Sequence, residues 1–192
     1  MSTGDYDIVG GYLSRSLAAI ESIDLESAAQ ILEVILEARA TGRVVYIAGN
    51  GGSASTASHY VVDLMKTSSI VHGQFVKAIS LTDNTSTLTA LGNDVQYSEV
   101  FSKQIEWLVE PGDVFIAISA SGTSPNIINA VVAASLQGAT TIGITGFGGG
   151  ELADIADHCL VIDSSEYGPV EDAHLVVGHM ITSALMQTSV IK

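Results

Sequence analysis

Residues 43–66 read RVVYIAGNGGSASTASHYVVDLMK. An apolar run rich in β-branched residues stops abruptly at Gly49-Asn50-Gly51-Gly52-Ser53, and small hydroxyl residues follow, then His59 and Asp63 four positions apart. The run has the length and composition of a buried strand, while residues 53–66 carry helical spacing. A strand that turns through glycines into a helix is the first unit of an alternating α/β chain.

Working outward, the same alternation continues. Residues 6–22 and 25–41 place apolar side chains at helical spacing (Ile8, Tyr12, Leu17, Ile20; Ile31, Leu32, Ile35). Further strands are expected at 75–81 (FVKAISL), 113–119 (DVFIAIS), 140–145 (TTIGIT) and 158–163 (HCLVID). Helices are expected at 84–92, 96–109, 124–138 and 169–188, the third ended by Gly138 beyond its last turn. Continuous Val- and Ile-rich strands, each followed by a helix, predict a three-layer, doubly wound, five-stranded parallel sheet covered on both faces. Ligands of such sheets bind beyond the carboxyl ends of the strands.

Composition narrows the function. The chain has 192 residues, 47% of them apolar, enough for one domain with a sizeable core. Acids outnumber Lys and Arg by 21 to 7, for a net charge of −14. Nucleic acids and anionic membranes are bound by displacing counterions with cations, of which this chain has few, so neither is an expected partner. A small anion remains accessible to backbone N–H groups, hydroxyls and helix N-termini. One cysteine, Cys159, precludes an internal disulfide. No apolar run reaches the ~18 residues of a membrane span, and the start lacks the pattern of a signal peptide. A cytoplasmic protein is expected.

Two loops carry the chemistry. The first, GNGGSAS (49–55), turns tightly and opens a helix with Ser53 near its start. The second, SASGTSPN (119–126), offers Ser119, Ser121, Thr123 and Ser124 within six residues, with Pro125 at a first helical position. Both present hydroxyls and free N–H groups where a phosphate or a polyhydroxylated ligand binds. GNGGSA also fits the dinucleotide pattern G-x-G-x-x-G/A, but that reading wants an acid ~20 residues on. The nearest, Asp83, lies about thirty residues beyond the loop. No Walker lysine follows and no nucleophile elbow is present, so no nucleotide cofactor is expected. The plain alternative is that these Gly and Ser residues only build turns and caps.

Five stretches carry a family resemblance: GNGGSAxxAxHxxxDL (49–64), TSTLTALGND (85–94), FSKQIEWLVEPGDVFIAISASGTSPNIINA (101–130), GITGFGGGELADIAD (143–157) and VEDAHLVVGH (170–179). In this order and spacing they resemble the phosphoheptose isomerases of the sugar isomerase (SIS) domain family, from about residue 7 to the end. The resemblance implies a single SIS domain of flavodoxin-like architecture over 1–192. Residues 1–42 would be a helical oligomerisation segment, and 43–192 a sugar-phosphate-binding core. It implies a homotetramer, zinc binding, and conversion of sedoheptulose 7-phosphate to an aldoheptose 7-phosphate. By resemblance Ser53, Ser119, Ser121 and Ser124, with Gly51, Gly52 and Ala120 beside them, hold the phosphate, and Asn50 and Asp94 contact substrate. His59, Asp63, Glu171 and His179 form the metal set, and Asp63, Glu171 and His179 the catalytic set.

The chain departs from the family at three of these positions. Asp63 stands where the family has glutamate, Glu171 where it has glutamine, and Thr67 where it has a basic residue. His59 and Asp63, at i and i+4, share one helix face, a spacing that suits two ligands of one metal. Asp63 is one methylene short of glutamate, a reach deficit of ~1.5 Å, and a ~1 Å misplacement costs ~100-fold in rate. Either the pocket has moved to meet Asp63, or Glu171 is the base, or Asp63 is only a metal ligand. His179 in an apolar helix also reads as a core histidine, and Glu171 as a helix-dipole partner. His174 reads as a packing residue, Cys159 as a core residue, and His72 and His158 as non-functional. The competing functions are isomerisation of a pentose or hexose phosphate, and a non-catalytic SIS tetramer of the replication-initiator-associating type.

Overall fold

Strand β1 (Val44–Gly49) is apolar on both sides because both are covered. Val45 and Ile47 enter one core, Tyr46 and Ala48 the other. The computed structural model describes residues 3–189, with side chains from residue 7. Around β1 the elements run α1 (Thr3–Glu21), α2 (Leu25–Thr41), β1, α3 (Gly52–Val62), a π-turn (Asp63–Thr67) and α4 (Ser69–His72). Then follow β2 (Lys77–Ser80), α5 (Thr85–Asp94), a 3₁₀ turn (Tyr97–Glu99), α6 (Ser102–Leu108), β3 (Val114–Ser119) and α7 (Pro125–Leu136). The last are β4 (Thr140–Thr145), α8 (Gly150–Ile155), β5 (His158–Val161) and α9 (Tyr167–Gln187).

The strands form one parallel sheet in the order β2-β1-β3-β4-β5. This is the flavodoxin-like order, whose reversal falls between β1 and β3. The two hydroxyl loops, after β1 and after β3, therefore flank the switch point. One core lies between the sheet and α2, α3 and α9, and includes Ile31, Ile35, Tyr60, Leu64 and Val177. The other lies under α5, α6 and α7 and includes Leu91, Phe101, Ile105, Ile127 and Val131. Asp24 caps α2 by accepting from Glu26 and Ser27 N–H, and Gly42 ends it at φ 71°.

Three expectations are corrected. The helix read over 53–66 ends at Val62, because Ser68 N–H closes onto the Asp63 carbonyl at 2.8 Å, a five-residue step that opens a π-turn. The helix read over 96–109 is a 3₁₀ turn followed by α6. The Ser102 hydroxyl bonds the Glu99 carbonyl (3.2 Å) and carboxylate (2.5 Å), closing the turn before the helix begins. Helix α8 was not anticipated, since its start lies in a glycine run with Gly149 and Gly150 at φ 97° and 57°. Helix α1 packs on α9, with Tyr12 and Ser16 bonded to Asp172, and leaves Ile8, Val9, Leu13 and Leu17 exposed.

Candidate active site

Helices α3 and α9 run side by side in parallel, joined by contacts at two levels. At the upper level Glu171 lies over Gly52: a Cβ on Gly52 would meet the Glu171 carboxylate oxygens at 2.5 and 2.6 Å. Glycine is needed there to admit the carboxylate. At the lower level, seven residues on along α3 and eight on along α9, His59 Nε2 and His179 Nε2 are 3.1 Å apart. Between the levels Tyr60 takes the space left by Gly178 and donates its hydroxyl to the His174 carbonyl. With ~1.5 Å of rise per residue, the two levels are ~10–12 Å apart.

The upper level opens into a cavity of about 130 Å³ lined by Asn50, Ser53, Ser119, Ala120, Ser121, Ser124, Tyr167 and Glu171. All four serines expected to hold the phosphate thus meet, drawn from the β1 and β3 loops and the start of α3. The Ser119 and Ser124 hydroxyls are 3.3 Å apart, and Ser121 accepts from the Thr123 N–H and hydroxyl. No lysine or arginine lines the cavity. Hydroxyls, loop N–H groups and the start of α3 are the attraction it offers an anion. Gly51 (φ 54°) and Gly52 form that start. The Glu171 carboxylate, without a hydrogen bond or ion pair to any described residue, is the one negative group on the wall.

The lower level is a triad. Asp63 Oδ2 lies 3.4 Å from His59 Nε2 and 3.7 Å from His179 Nε2. It is buried and has no hydrogen-bond partner, while Oδ1 accepts from the Thr67 hydroxyl at 2.9 Å. Ligands around a tetrahedral ion at ~2.0–2.1 Å stand about 3.3 Å from one another, so separations of 3.1, 3.4 and 3.7 Å match such a set. An orphaned carboxylate oxygen facing two imidazole nitrogens fits a divalent metal. Among the described residues the group comprises His59, Asp63 and His179; Glu171 stands in the serine cavity instead.

Other expected residues are placed as follows. Asp94 ends α5, is exposed, and accepts from Asn93 at 2.8 Å, away from the cavity lining. His174 is fully buried, and burial pushes its pKa down to about 4, so it packs as a neutral ring. Cys159 is half-buried on β5 and its thiol is pushed up to about 11 by burial. Sequence reading missed Asn126 and Tyr97. Asn50 and Asn126 exchange amide hydrogen bonds at 2.8 Å, and the Tyr97 hydroxyl donates to Asn50 at 3.0 Å. Asn126, the last residue of the serine loop, carried a signal; Tyr97, nearly fifty residues from Asn50, carried none.

Comparison with known proteins agrees with this geometry. Residues 11–146 match the SIS domain family. The phosphoheptose isomerase of a Bradyrhizobium species is 40% identical over 190 residues, covering 94% of this chain and 96% of that protein. A probable phosphoheptose isomerase of Thermoplasma acidophilum is 38% identical, covering 91% and 95% respectively. The structure of the phosphoheptose isomerase of Neisseria gonorrhoeae superposes with a TM-score of 0.88 at 31% identity, over 95% of this chain and 99% of that one. The switch-point serines, the histidine–aspartate triad and these full-length matches place the chain in the SIS domain family, among its phosphoheptose isomerases.

Proposed function

We propose that the protein is an aldose–ketose isomerase that converts sedoheptulose 7-phosphate to D-glycero-D-manno-heptose 7-phosphate or a stereoisomer of it. The reading is supported by two sites on the paired helices: the serine cavity beside Gly52 and Glu171, and the triad of His59, Asp63 and His179, which lies seven to eight residues further along, ~10–12 Å of backbone rise. An extended chain advances ~1.2 Å per bond. About eight bonds separate C1 of a heptose 7-phosphate from its phosphorus, or ~10 Å, whereas a pentose 5-phosphate spans ~7 Å. A seven-carbon ester can rest its phosphate on Ser53, Ser119, Ser121 and Ser124 and bring C1 and C2 to the triad. Asn50, Gly51, Gly52 and Ala120 contact it along the way, and Asp94, outside the cavity lining, is a further candidate contact.

Isomerisation moves one proton from C1 to C2 and one from O1 to O2 through a cis-enediol, with no net change in composition. A carboxylate, Asp63 or Glu171, carries the carbon-bound proton, and His179 carries the hydroxyl proton. We assign zinc to His59, Asp63 and His179, with Glu171, on the same helix as His179, as a further candidate donor. Bound there, zinc supplies a Lewis acid that favours negative charge on the sugar oxygens. Asp63 and the imidazoles orient that end of the site, and the serine cavity fixes the other.

The exposed Ile8, Val9, Leu13 and Leu17 of α1 support residues 1–42 as an oligomerisation segment of a homotetramer, with 43–192 as the sugar-phosphate core. No helix among the described residues is long and apolar enough to cross a membrane. We assign the protein to the cytoplasm, where a reduced Cys159 and a phosphorylated substrate are both at home.

Proton NMR in D₂O with sedoheptulose 7-phosphate and zinc-loaded protein tests the reading. New aldose anomeric signals with deuterium at C2 are expected. Binding without conversion, with turnover of a shorter sugar phosphate instead, would overturn the choice of substrate. Binding with no conversion of any sugar phosphate would leave the non-catalytic tetramer.

A further inference from the structure

Asp63 departs from the family's glutamate, yet its carboxylate reaches both imidazoles. The chain after it accounts for this. The π-turn over Asp63–Thr67 pins Asp63 twice: Ser68 N–H binds its carbonyl at 2.8 Å, and the Thr67 hydroxyl binds Oδ1 at 2.9 Å. Ser68 is itself buried and donates its hydroxyl to the Leu64 carbonyl at 2.6 Å, so the turn rests on the core. Asp63 is only 8% exposed. With Oδ1 taken, Oδ2 is the one oxygen left to face His59 and His179, and it is the oxygen found without a hydrogen bond.

We infer that Thr67 is a positioning residue that holds Asp63 as a single-oxygen donor to the triad. A free aspartate turns about χ2 and offers either oxygen, or both. A hydroxyl donor on Oδ1 removes that freedom and with it the entropic cost of ordering the side chain when an ion arrives. The shorter acid has fewer torsions with which to correct its aim, so the orienting bond matters more for aspartate than for glutamate. Thr67 also stands where the family has a basic residue. At this position a neutral donor orients Asp63 without placing a cation beside a metal site.

The inference rests on the triad being a zinc site, and its test needs no sugar. Apo protein is titrated with zinc against a chelator of known affinity, as wild type, Thr67→Val and Thr67→Ser. Thr67→Val keeps the shape and removes the donor; it should weaken zinc by 10- to 100-fold. Thr67→Ser keeps the donor and should stay within about threefold of wild type, while inorganic phosphate binding to the serine cavity is unchanged in both. Equal affinity in Thr67→Val and wild type would overturn the inference. So would equal losses in both variants, or a wild type that binds no zinc. A wild type that binds zinc and isomerises nothing would sink the isomerase reading and leave this one standing.

Discussion

Glu171 reaches the serine cavity only because residue 52 has no side chain. A Cβ there would fall 2.5 Å from its carboxylate, a flexible group that can swing aside. Gly52→Ala should therefore fold, with a stability change of about 1 kcal/mol or less, but push Glu171 across the cavity. A several-fold rise in KM with a near-native melting temperature is the expected pair of results.

Glu171→Gln removes the one negative group from a cavity that lacks cations. Two unit charges ~4 Å apart repel by about 1 kcal/mol even in water. Inorganic phosphate should therefore bind roughly fivefold tighter or better, as read by calorimetry. The same variant separates the two candidate bases: kcat survives if Asp63 moves the carbon-bound proton and falls by ~100-fold or more if Glu171 does.

Zinc should stabilise the protein through the triad. At one hundred times its Kd a ligand adds about 2.7 kcal/mol, which for a chain of this size raises Tm by roughly 5–10 °C. His59→Ala and His179→Ala should each abolish most of the shift in a thermal melt. A full shift in either variant would place the ion elsewhere.

His174 predicts an acid limit. Its folded pKa is depressed by burial to about 4, from an ordinary value near ~6.5. The unfolded chain binds the proton first, so stability is intact above pH ~6.5 and is lost as pH falls towards 4. The total is about 3 kcal/mol. Denaturant melts across that range should show the slope, and His174→Leu should flatten it.

Leu13 and Leu17 are 60% and 51% exposed on α1. If α1 builds the proposed tetramer, replacing both with glutamate should lower the mass read by light scattering while leaving the far-ultraviolet spectrum intact. An unchanged mass would overturn the role proposed for α1.

The sheet was legible because its central strands β1, β3 and β4 are apolar and buried on both faces and run into Gly49, Ser119 and Thr145-Gly146. The strand read over 140–145 and the helix over 25–41 match residue for residue. The serine cavity was legible too, since its donors sit in two short loops. The π-turn was not, because its cause is a buried Ser68 and a Thr67 hydroxyl, and neither alters hydrophobic periodicity. The separation of Glu171 from the triad was equally hidden. Residues 171 and 179 look like neighbours in a motif, but eight helical positions put their Cα atoms ~12 Å apart along the axis.

The paired helices α3 and α9 act as a ruler with coarse divisions. Sliding one helix past the other by a turn changes the gap by ~5.4 Å, the length of about four carbon–carbon bonds. Losing or gaining a single carbon corresponds to ~1.2 Å, which no register shift can deliver. A lineage built on this pair would therefore change sugar length only by exchanging side chains at the two ends, Ser53, Ser119 and Ser124 above or Asp63 below. Aspartate at position 63, where the family resemblance implies glutamate, is a difference of that size, at the end the proposal gives to the reacting carbons.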